Sequence, residues 1–160
     1  MIKNKRGFTL VELLVVIAII GLLSSLAVVS LGSIRQKGRD TKRISDMDAV
    51  RSAFEAVNSE YGGYDKVVCT STGAGKMFYT ECANAAAANK LNEFLKGIGS
   101  IKDPSTPTAA CATGCTATCE YNINAVSATA YTIYFYMEKG AGTYGAGCYK
   151  MTENGIVSAP

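Results

Sequence analysis

Six cysteines are the residues of this chain whose type and spacing could do chemistry. They are Cys69, Cys82, Cys111, Cys115, Cys119 and Cys148. The even spacing from Cys111 to Cys119 suits a metal site, but the chain has no histidine, so zinc would need a further cysteine or a carboxylate. An even number of cysteines that all follow one apolar segment favours up to three disulfides in an oxidising compartment. Six cysteines allow 15 complete pairings, and spacing does not choose among them.

Catalytic motifs are a second kind of chemistry, and the sequence excludes most of them. Without histidine, no Ser-His-Asp or Cys-His arrangement can form, and no G-x-S-x-G occurs. The stretch GAGTYGAG (140–147) has the letters of a dinucleotide-binding motif, but a short strand follows where that motif requires a helix. TGAGKM (72–77) lacks the glycine spacing of a phosphate loop and has Met77 where a hydroxyl should bind magnesium. We therefore expect no enzyme activity, no catalytic residue, and no bound cofactor or metal.

A single carboxylate, Glu12, lies near the start of a long apolar run. The run extends from Phe8 to Ile34 and contains no other charged residue. Residues 10–31 can cross a bilayer as a helix, since about 20 residues span about 30 Å. A glutamate at the centre of a membrane helix costs roughly 2.5–3.5 kcal/mol, so a plain membrane anchor leaves Glu12 unexplained. A secretory signal peptide does not fit either, because the run is too long and no small-residue cleavage site follows it.

The stretch KRGFTLVELL, which begins at Lys5, resembles the N-terminal signature of type IV pilins and type II secretion pseudopilins. In that family a short basic leader ends in glycine, and a dedicated peptidase cuts after it. The resemblance implies cleavage between Gly7 and Phe8, and N-methylation of Phe8 at the new N-terminus. The family's glutamate is the fifth residue of the mature chain, as Glu12 is when counted from Phe8. The likeness is close over residues 3–23.

The resemblance also gives Glu12 a partner. Cleavage would create a positive amine at Phe8, and in a packed fibre the Glu12 carboxylate of one subunit would pair with the amine of its neighbour. A buried charge needs such a partner, because removing one member leaves the other uncompensated. The alternative is a glutamate whose side chain reaches the lipid headgroups from near the helix end. We expect the first, with Glu12 and Phe8 setting the register of subunit assembly.

Basic residues flank the apolar run on both sides. The leader carries Lys3, Lys5 and Arg6, and removal of residues 1–7 would leave 13 basic side chains against 13 acidic ones. This balance gives no support to nucleic-acid binding through net charge. Segment 35–43 is densely basic, and the positive-inside rule alone would place it in the cytoplasm. The cysteines and the resemblance place it outside, which is the orientation we expect.

Apolar residues beyond the basic segment recur at helical spacing. They form a stripe of Ile44, Met47, Val50, Phe54 and Val57. We predict one helix from about Phe8 to Asn58, half in the membrane and half packed on a globular head, with Gly62–Gly63 ending it. Asp46 and Asp48 lie largely off the stripe, and we expect them to be solvated or paired with nearby arginines.

The sequence after this helix predicts a head that contains helix, loop and strand. We expect a loop over 65–82, a short helix over 84–96, and an irregular segment over 104–119 that disulfides hold in place. The helix would place its apolar side chains on one face. These are Leu91, Phe94, Leu95 and Ile98.

Alternation after Tyr131 predicts a half-buried strand, with one face made of Ile133, Phe135 and Met137. Turns at 140–147 and 153–155 then predict two short strands, at 148–151 and 156–157. The tyrosines of this region could stack on a ligand or on nucleic acid, but we expect a face covered by a loop or a subunit. They are Tyr131, Tyr134, Tyr136, Tyr144 and Tyr149.

These elements predict an α+β fold. A long N-terminal helix, with a transmembrane half and an amphipathic half, would pack on a small antiparallel β-sheet head. The expected organisation is a cleaved leader (1–7), the N-terminal helix (8–59) with its transmembrane segment at about 10–31, and a disulfide-rich head (60–160).

We expect a structural subunit of a type IV pilus-like filament, inserted in the membrane as a prepilin. The alternatives are a type II secretion pseudopilin and a membrane-anchored binding domain that never polymerises. The dense acidic loop that would hold calcium in some pseudopilins is not evident near the C-terminus, which favours the pilus.

The resemblance implies like subunits, a prepilin peptidase, and an assembly ATPase acting through an inner-membrane platform as partners. Membrane lipid surrounds the helix before assembly, and no specific nucleic acid is expected. The precursor would cross the inner membrane once with its head outside the cytoplasm. After assembly it would lie in a surface pilus or a periplasmic pseudopilus.

Overall fold

The computed structural model describes residues 7–73, 75–84 and 89–160. Within them lie three α-helices, α1 (Leu10–Tyr61), α2 (Phe78–Asn84) and α3 (Leu91–Phe94). Four strands follow: β1 (Asn122–Val126), β2 (Tyr131–Ala141), β3 (Tyr144–Thr152) and β4 (Gly155–Ser158). The chain divides into two compact units, Met1–Arg35 and Gln36–Pro160. The long helix with a four-stranded antiparallel sheet confirms the predicted α+β class.

Helix α1 ends where its glycines predict. Gly62 adopts a φ of +76°, and its peptide N–H donates to the carbonyl oxygen of Asn58 at 2.9 Å. A left-handed glycine after the last turn commonly ends a helix, because it has no Cβ to clash in that conformation.

The unit Met1–Arg35 has no packed core of its own among the described residues. Every residue from 8 to 35 whose burial the structure describes is exposed. Its apolar side chains therefore make their contacts with something other than this single chain.

The predicted stripe of α1 forms one wall of the core of Gln36–Pro160. Met47, Val50, Phe54 and Val57 are fully buried, with Ile44 partly buried beside them. The ring of Tyr131 lies 4.3 Å from that of Phe54 and 5.0 Å from that of Tyr64, centroid to centroid. Close aromatic packing of this kind adds to the energy of burial. Tyr131 therefore belongs to the core, and its predicted place on the tyrosine face is wrong.

The sheet is antiparallel throughout, in the order β1-β2-β3-β4. The alternation along β2 is confirmed, because Ile133, Phe135 and Met137 are fully buried. On the opposite face Tyr134 and Tyr136 pack against residues 104–119, the cysteine-rich segment, so the expected cover by a loop is confirmed for these two. Tyr144 and Tyr149 pack against the main core instead, so their predicted place on that face is wrong. GAGTYGAG forms the β2–β3 hairpin, as predicted, but the turn is only two residues long and β3 begins at Tyr144 rather than at 148.

The structure differs from the prediction in three further elements. Helix α2 begins at Phe78, inside the predicted loop. Strand β1 was missed, since Asn and Ala are poor strand formers and pairing with β2 imposes the conformation. Of the predicted helix 84–96, residues 85–88 lie outside the described residues and α3 covers only Leu91–Phe94. The side chain of Asn89 accepts from the N–H of Leu91 at 3.0 Å, a local side-chain turn just before α3.

Candidate functional site

The start of α1 places Thr9 and Glu12 in reciprocal hydrogen bonds. The peptide N–H of Thr9 and its hydroxyl each donate to Glu12 Oε2 at 2.8 Å. In return the peptide N–H of Glu12 donates to Thr9 Oγ1 at 3.3 Å. Thr9 is the N-cap and Glu12 the third helical residue, so the two form a capping box. The spacing T-x-x-E before an apolar run signals this motif in sequence, and the assignment of Glu12 to assembly alone missed it.

The predicted cleavage junction lies just before this cap. Gly7 and Phe8 precede the helix and are exposed, and a Cβ at Gly7 would meet no atom within 4 Å. The basic leader side chains of Lys3, Lys5 and Arg6 lie outside the described residues. In the uncleaved chain the Phe8 nitrogen is a peptide amide, and Glu12 binds Thr9 instead. Cleavage, methylation and the Glu12–Phe8 pairing remain predictions.

Helix α1 is long and apolar enough to cross a membrane, and it is the one such helix in the described part of the chain. Its first half exposes large apolar side chains, such as Leu10 at 79% and Leu22 at 67%. Burying a Leu, Val or Ile side chain is worth about 1.5–3 kcal/mol each. The segment therefore requires lipid or other protein around it.

All six predicted cysteines form disulfides in the structure. The pairs are Cys69–Cys82, Cys111–Cys119 and Cys115–Cys148. The sulfurs of Cys111, Cys115 and Cys119 lie within 4.8 Å of one another, but each is already bonded, so none is free to bind a metal as a thiolate.

Two of these disulfides hold the segment 104–119 in place. Cys111–Cys119 closes a small loop within the segment, and Cys115–Cys148 joins that loop to β3. The Thr113 hydroxyl donates to the hydroxyl of Tyr134 at 2.9 Å, which adds a polar contact to the cover. The segment is rich in small residues, so these covalent links replace the apolar core that it lacks.

A group of five charged residues, which we name the ion cluster, connects α1 with β2 and with the chain before β1. Its members are Arg39, Asp40, Arg43, Asp103 and Glu138. Arg43 is fully buried and donates to both carboxylate oxygens of Asp103, at 2.6 and 2.8 Å. Its Nη1 also donates to Asp40 at 2.6 Å and to Glu138 at 2.8 Å. Breaking such a buried pair typically costs 3–5 kcal/mol, about what a single strong core contact is worth.

Asp40 also holds a bulge in β2. Its carboxylate accepts the peptide N–H groups of Glu138, Lys139 and Gly140 at 2.9, 2.7 and 2.8 Å. The β2–β3 register shifts between Met137 and Gly140, where an extra residue interrupts the ladder. Asp40 therefore satisfies backbone donors at the irregular point of the strand.

The ion cluster shifts the pKa values of Glu138 and Arg43. Hydrogen bonds from Arg39 lower the pKa of Glu138 to about 2, against the opposing effect of burial, and Arg43 adds to the lowering. Burial opposes the charged form of Arg43, but Asp103, Glu138 and Asp40 outweigh it and raise the pKa of this guanidinium. Nearby, burial raises the pKa of Glu120, although the N–H groups of Asp103 and Tyr121 act the other way.

Asp46 is buried rather than solvated, which corrects the expectation for this residue. It accepts a hydrogen bond from the hydroxyl of Tyr121 at 3.1 Å and pairs with Lys42 one turn earlier. Its cation is therefore a lysine and not an arginine. Asp48 is exposed, as expected.

The capped apolar helix and the four-stranded antiparallel sheet together define a pilin-type fold. Residues 2–28 match the family described as the prokaryotic N-terminal methylation motif. Prepilin peptidase-dependent protein D of Escherichia coli is 32% identical over 131 residues, which cover 78% of this chain and 88% of that protein. The chain belongs to the family of type IV pilins and type II secretion pseudopilins, whose members are structural subunits.

Other relatives match a smaller share of the chain. Type II secretion system core protein G of Klebsiella michiganensis is 39% identical over 62 residues, or 39% of this chain and 44% of that protein. A fimbrial protein of Pseudomonas aeruginosa is 35% identical over 54 residues, or 34% of this chain and 35% of that protein. No solved structure matches the chain.

Proposed function

We propose that this chain is a prepilin that becomes the structural subunit of a type IV pilus-like filament. The protein enters the membrane through α1, is cleaved between Gly7 and Phe8, is N-methylated at Phe8, and then polymerises through its N-terminal helix. Like subunits and a prepilin peptidase are its direct partners. An assembly ATPase acts indirectly, through an inner-membrane platform.

The observation that carries this proposal is the exposed first half of α1, in which Glu12 is the single charged side chain. Lipid surrounds the exposed apolar side chains before assembly. Equally apolar helices of neighbouring subunits replace that lipid afterwards. Packing and the pairing of Glu12 with a neighbour's Phe8 amine, rather than transfer from water, then set the register. The capping box keeps the Glu12 carboxylate at the first turn of the helix until that amine is available.

One observation favours a pilus over a secretion pseudopilus. The carboxylates of the ion cluster are bound to arginines and backbone N–H groups rather than presented as an open calcium site. A secretion pseudopilin remains the second candidate, because secretion protein G is 39% identical to this chain over 62 residues.

The ion cluster also supports an outside orientation of the head. Arg39 and Arg43 bind carboxylates of the head, and Lys42 pairs with Asp46. Of the five basic residues in segment 35–43, these three are neutralised once the protein has folded. The positive-inside rule is therefore a weak argument for keeping this segment in the cytoplasm. The three disulfides favour the oxidising side of the membrane.

The test is the intact mass and N-terminal sequence of the protein recovered from sheared surface filaments. We expect a chain that starts at methylated Phe8 and is six hydrogens lighter than the reduced form, because three disulfides are present. An uncleaved chain found only in membranes would overturn the proposal and leave a membrane-anchored domain. A processed chain that is absent from surface filaments would favour the pseudopilin.

A further inference from the structure

A basic cleft of about 390 Å³ lies between α1 and the β2–β3 hairpin. Its lining consists of Lys37, Thr41, Lys139, Gly140, Ala141, Gly142 and Tyr144. Lys37 and Lys139 are exposed, and neither takes part in an ion pair within the described residues. Arg39, Lys42 and Arg43, by contrast, all form ion pairs with carboxylates.

The hairpin side of the cleft is built from small residues for a structural reason. Gly140 adopts a φ of +91°, and a Cβ there would overlap the carbonyl oxygen of Tyr144. Gly142 adopts a φ of +60° in the two-residue turn between β2 and β3. Because both positions favour glycine, neither contributes a side chain that would narrow the cleft.

The carboxylates closest in sequence to these lysines do not neutralise the cleft. Asp40 is fully buried, and its oxygens bind Arg43 and the N–H groups of the bulge. The side chain of Glu138 is 10% exposed and binds Arg39 and Arg43. The solvent-accessible charges of the cleft are therefore positive, and it suits an anion.

The position of Lys37 in the chain points to the kind of anion. Lys37 follows Ile34, the last residue of the apolar run, by three residues of the continuous helix α1. Basic side chains immediately beyond a membrane-spanning segment lie at the level of the lipid headgroups. Without residues 1–7 the side-chain charges of the chain sum to zero. Any attraction to an anionic surface must therefore be local.

We infer that the basic cleft binds the phosphate of an anionic phospholipid while α1 is in the membrane, with Lys37 and Lys139 sharing that phosphate. The inference rests on the membrane insertion proposed above. It assigns the cleft a role before assembly, because the lipid contact ends when the subunit leaves the membrane for a filament.

Lysine labelling of the full chain in lipid nanodiscs tests this inference. Acylation rates are measured by mass spectrometry in discs of phosphatidylcholine alone and in discs that also contain phosphatidylglycerol. Attraction to an anionic surface stabilises the charged form of each nearby lysine by about 1 kcal/mol, and only the neutral amine is acylated. We therefore expect Lys37 and Lys139 to react about fivefold more slowly with phosphatidylglycerol present. Lys96 and Lys102, which are exposed and outside the cleft, should react equally in both discs.

A matched pair of variants separates the cleft from a general surface field. Lys139→Gln should restore the reactivity of Lys37 in phosphatidylglycerol discs, because the shared phosphate loses one partner. Lys96→Gln should leave the protection of Lys37 unchanged. If Lys37 stays protected in Lys139→Gln, a shared site does not exist and the inference is wrong.

Two further arms identify the source of the anion and the cause of a failure. Protection by inorganic phosphate in phosphatidylcholine discs, equal to that by phosphatidylglycerol, would show a free-phosphate site and overturn the lipid assignment. Elution of the protein with the discs on size exclusion measures insertion separately. A protein that does not elute with discs contradicts the proposed function, whereas an inserted protein with unprotected lysines contradicts only this inference.

Discussion

At the first turn of α1, one carboxylate meets two requirements. Glu12 completes the capping box with Thr9, and it would supply the negative charge for a neighbouring Phe8 amine. A capping box accepts glutamine as well as glutamate at this position, whereas an ion pair needs the charge. The two roles can therefore be separated by a single substitution.

We expect Glu12→Gln to insert, to be cleaved, and to form on the order of a hundredfold fewer filaments, because a buried amine without its partner costs at least 3 kcal/mol. Glu12→Ala should lose the cap as well as the charge and serves as the comparison. The measurement is the fraction of subunit recovered in sheared filaments relative to the cell-bound fraction. Normal filament yield from Glu12→Gln would show that capping is the role of this residue.

Among the elements, α1 is fixed to β2 by charge as well as by apolar packing. The stripe of α1 buries apolar area, while Asp40 and Arg43 place polar groups at a bulge of the strand. Packing alone tolerates small sliding of a helix on a sheet. Hydrogen bonds with defined donors and acceptors specify one register of α1 against β2.

The acid sensitivity of the folded head tests this connection. Glu138 has a pKa of about 2 in the folded chain, against an ordinary value of 4.5. Because the folded pKa is the lower one, the charged carboxylate stabilises the fold above about pH 4.5, and this contribution disappears as the pH falls towards 2. It amounts to about 3 kcal/mol.

We therefore expect Glu138→Gln to be less stable at neutral pH and to lose less stability between pH 4.5 and 2. Glu120→Gln is the matched control with the opposite sign, since burial raises the pKa of Glu120 and its charge destabilises the fold at neutral pH. Urea unfolding in detergent micelles measures both, followed by tyrosine fluorescence because the chain has no tryptophan. An unchanged acid profile in Glu138→Gln would contradict the role of the ion cluster.

Over the whole molecule, the disulfides compensate for a long segment that contributes little core. The sequence separations are 33 for Cys115–Cys148, 13 for Cys69–Cys82 and 8 for Cys111–Cys119. Closing a longer loop removes more entropy from the unfolded chain. The bond from the cysteine-rich segment to β3 should therefore stabilise the head most.

Replacement of each pair by serines tests this order. We expect Cys115→Ser with Cys148→Ser to cost about 4 kcal/mol, and Cys111→Ser with Cys119→Ser about 2.5 kcal/mol. The first variant should also expose Tyr134, which the segment covers. The free energy of unfolding is measured by urea titration. Equal losses in the two variants would mean that loop closure does not govern the stability of the head.

Short-range patterns let the sequence determine much of this protein. The apolar run, the place of Glu12, the helical stripe and the alternation along β2 all follow from side-chain periodicity, which neighbouring residues establish by themselves. Thr9 belongs to the same group, although its capping role was missed, because the whole signal lies within four residues.

Tertiary structure alone decided the rest. The partners in the ion cluster lie as far apart in sequence as Arg39 and Glu138, and nothing local in segment 35–43 shows which of its charges will be buried. The pairing of the cysteines also depends on tertiary structure. The loop-closure entropies of the alternative pairings differ by amounts comparable to the energy of a single contact, so entropy alone does not select one. Only the packing of α1, the sheet and the cysteine-rich segment brings the right sulfurs and charges within bonding distance. The basic cleft arises in the same way, because the hairpin brings Lys139 to the same space as Lys37.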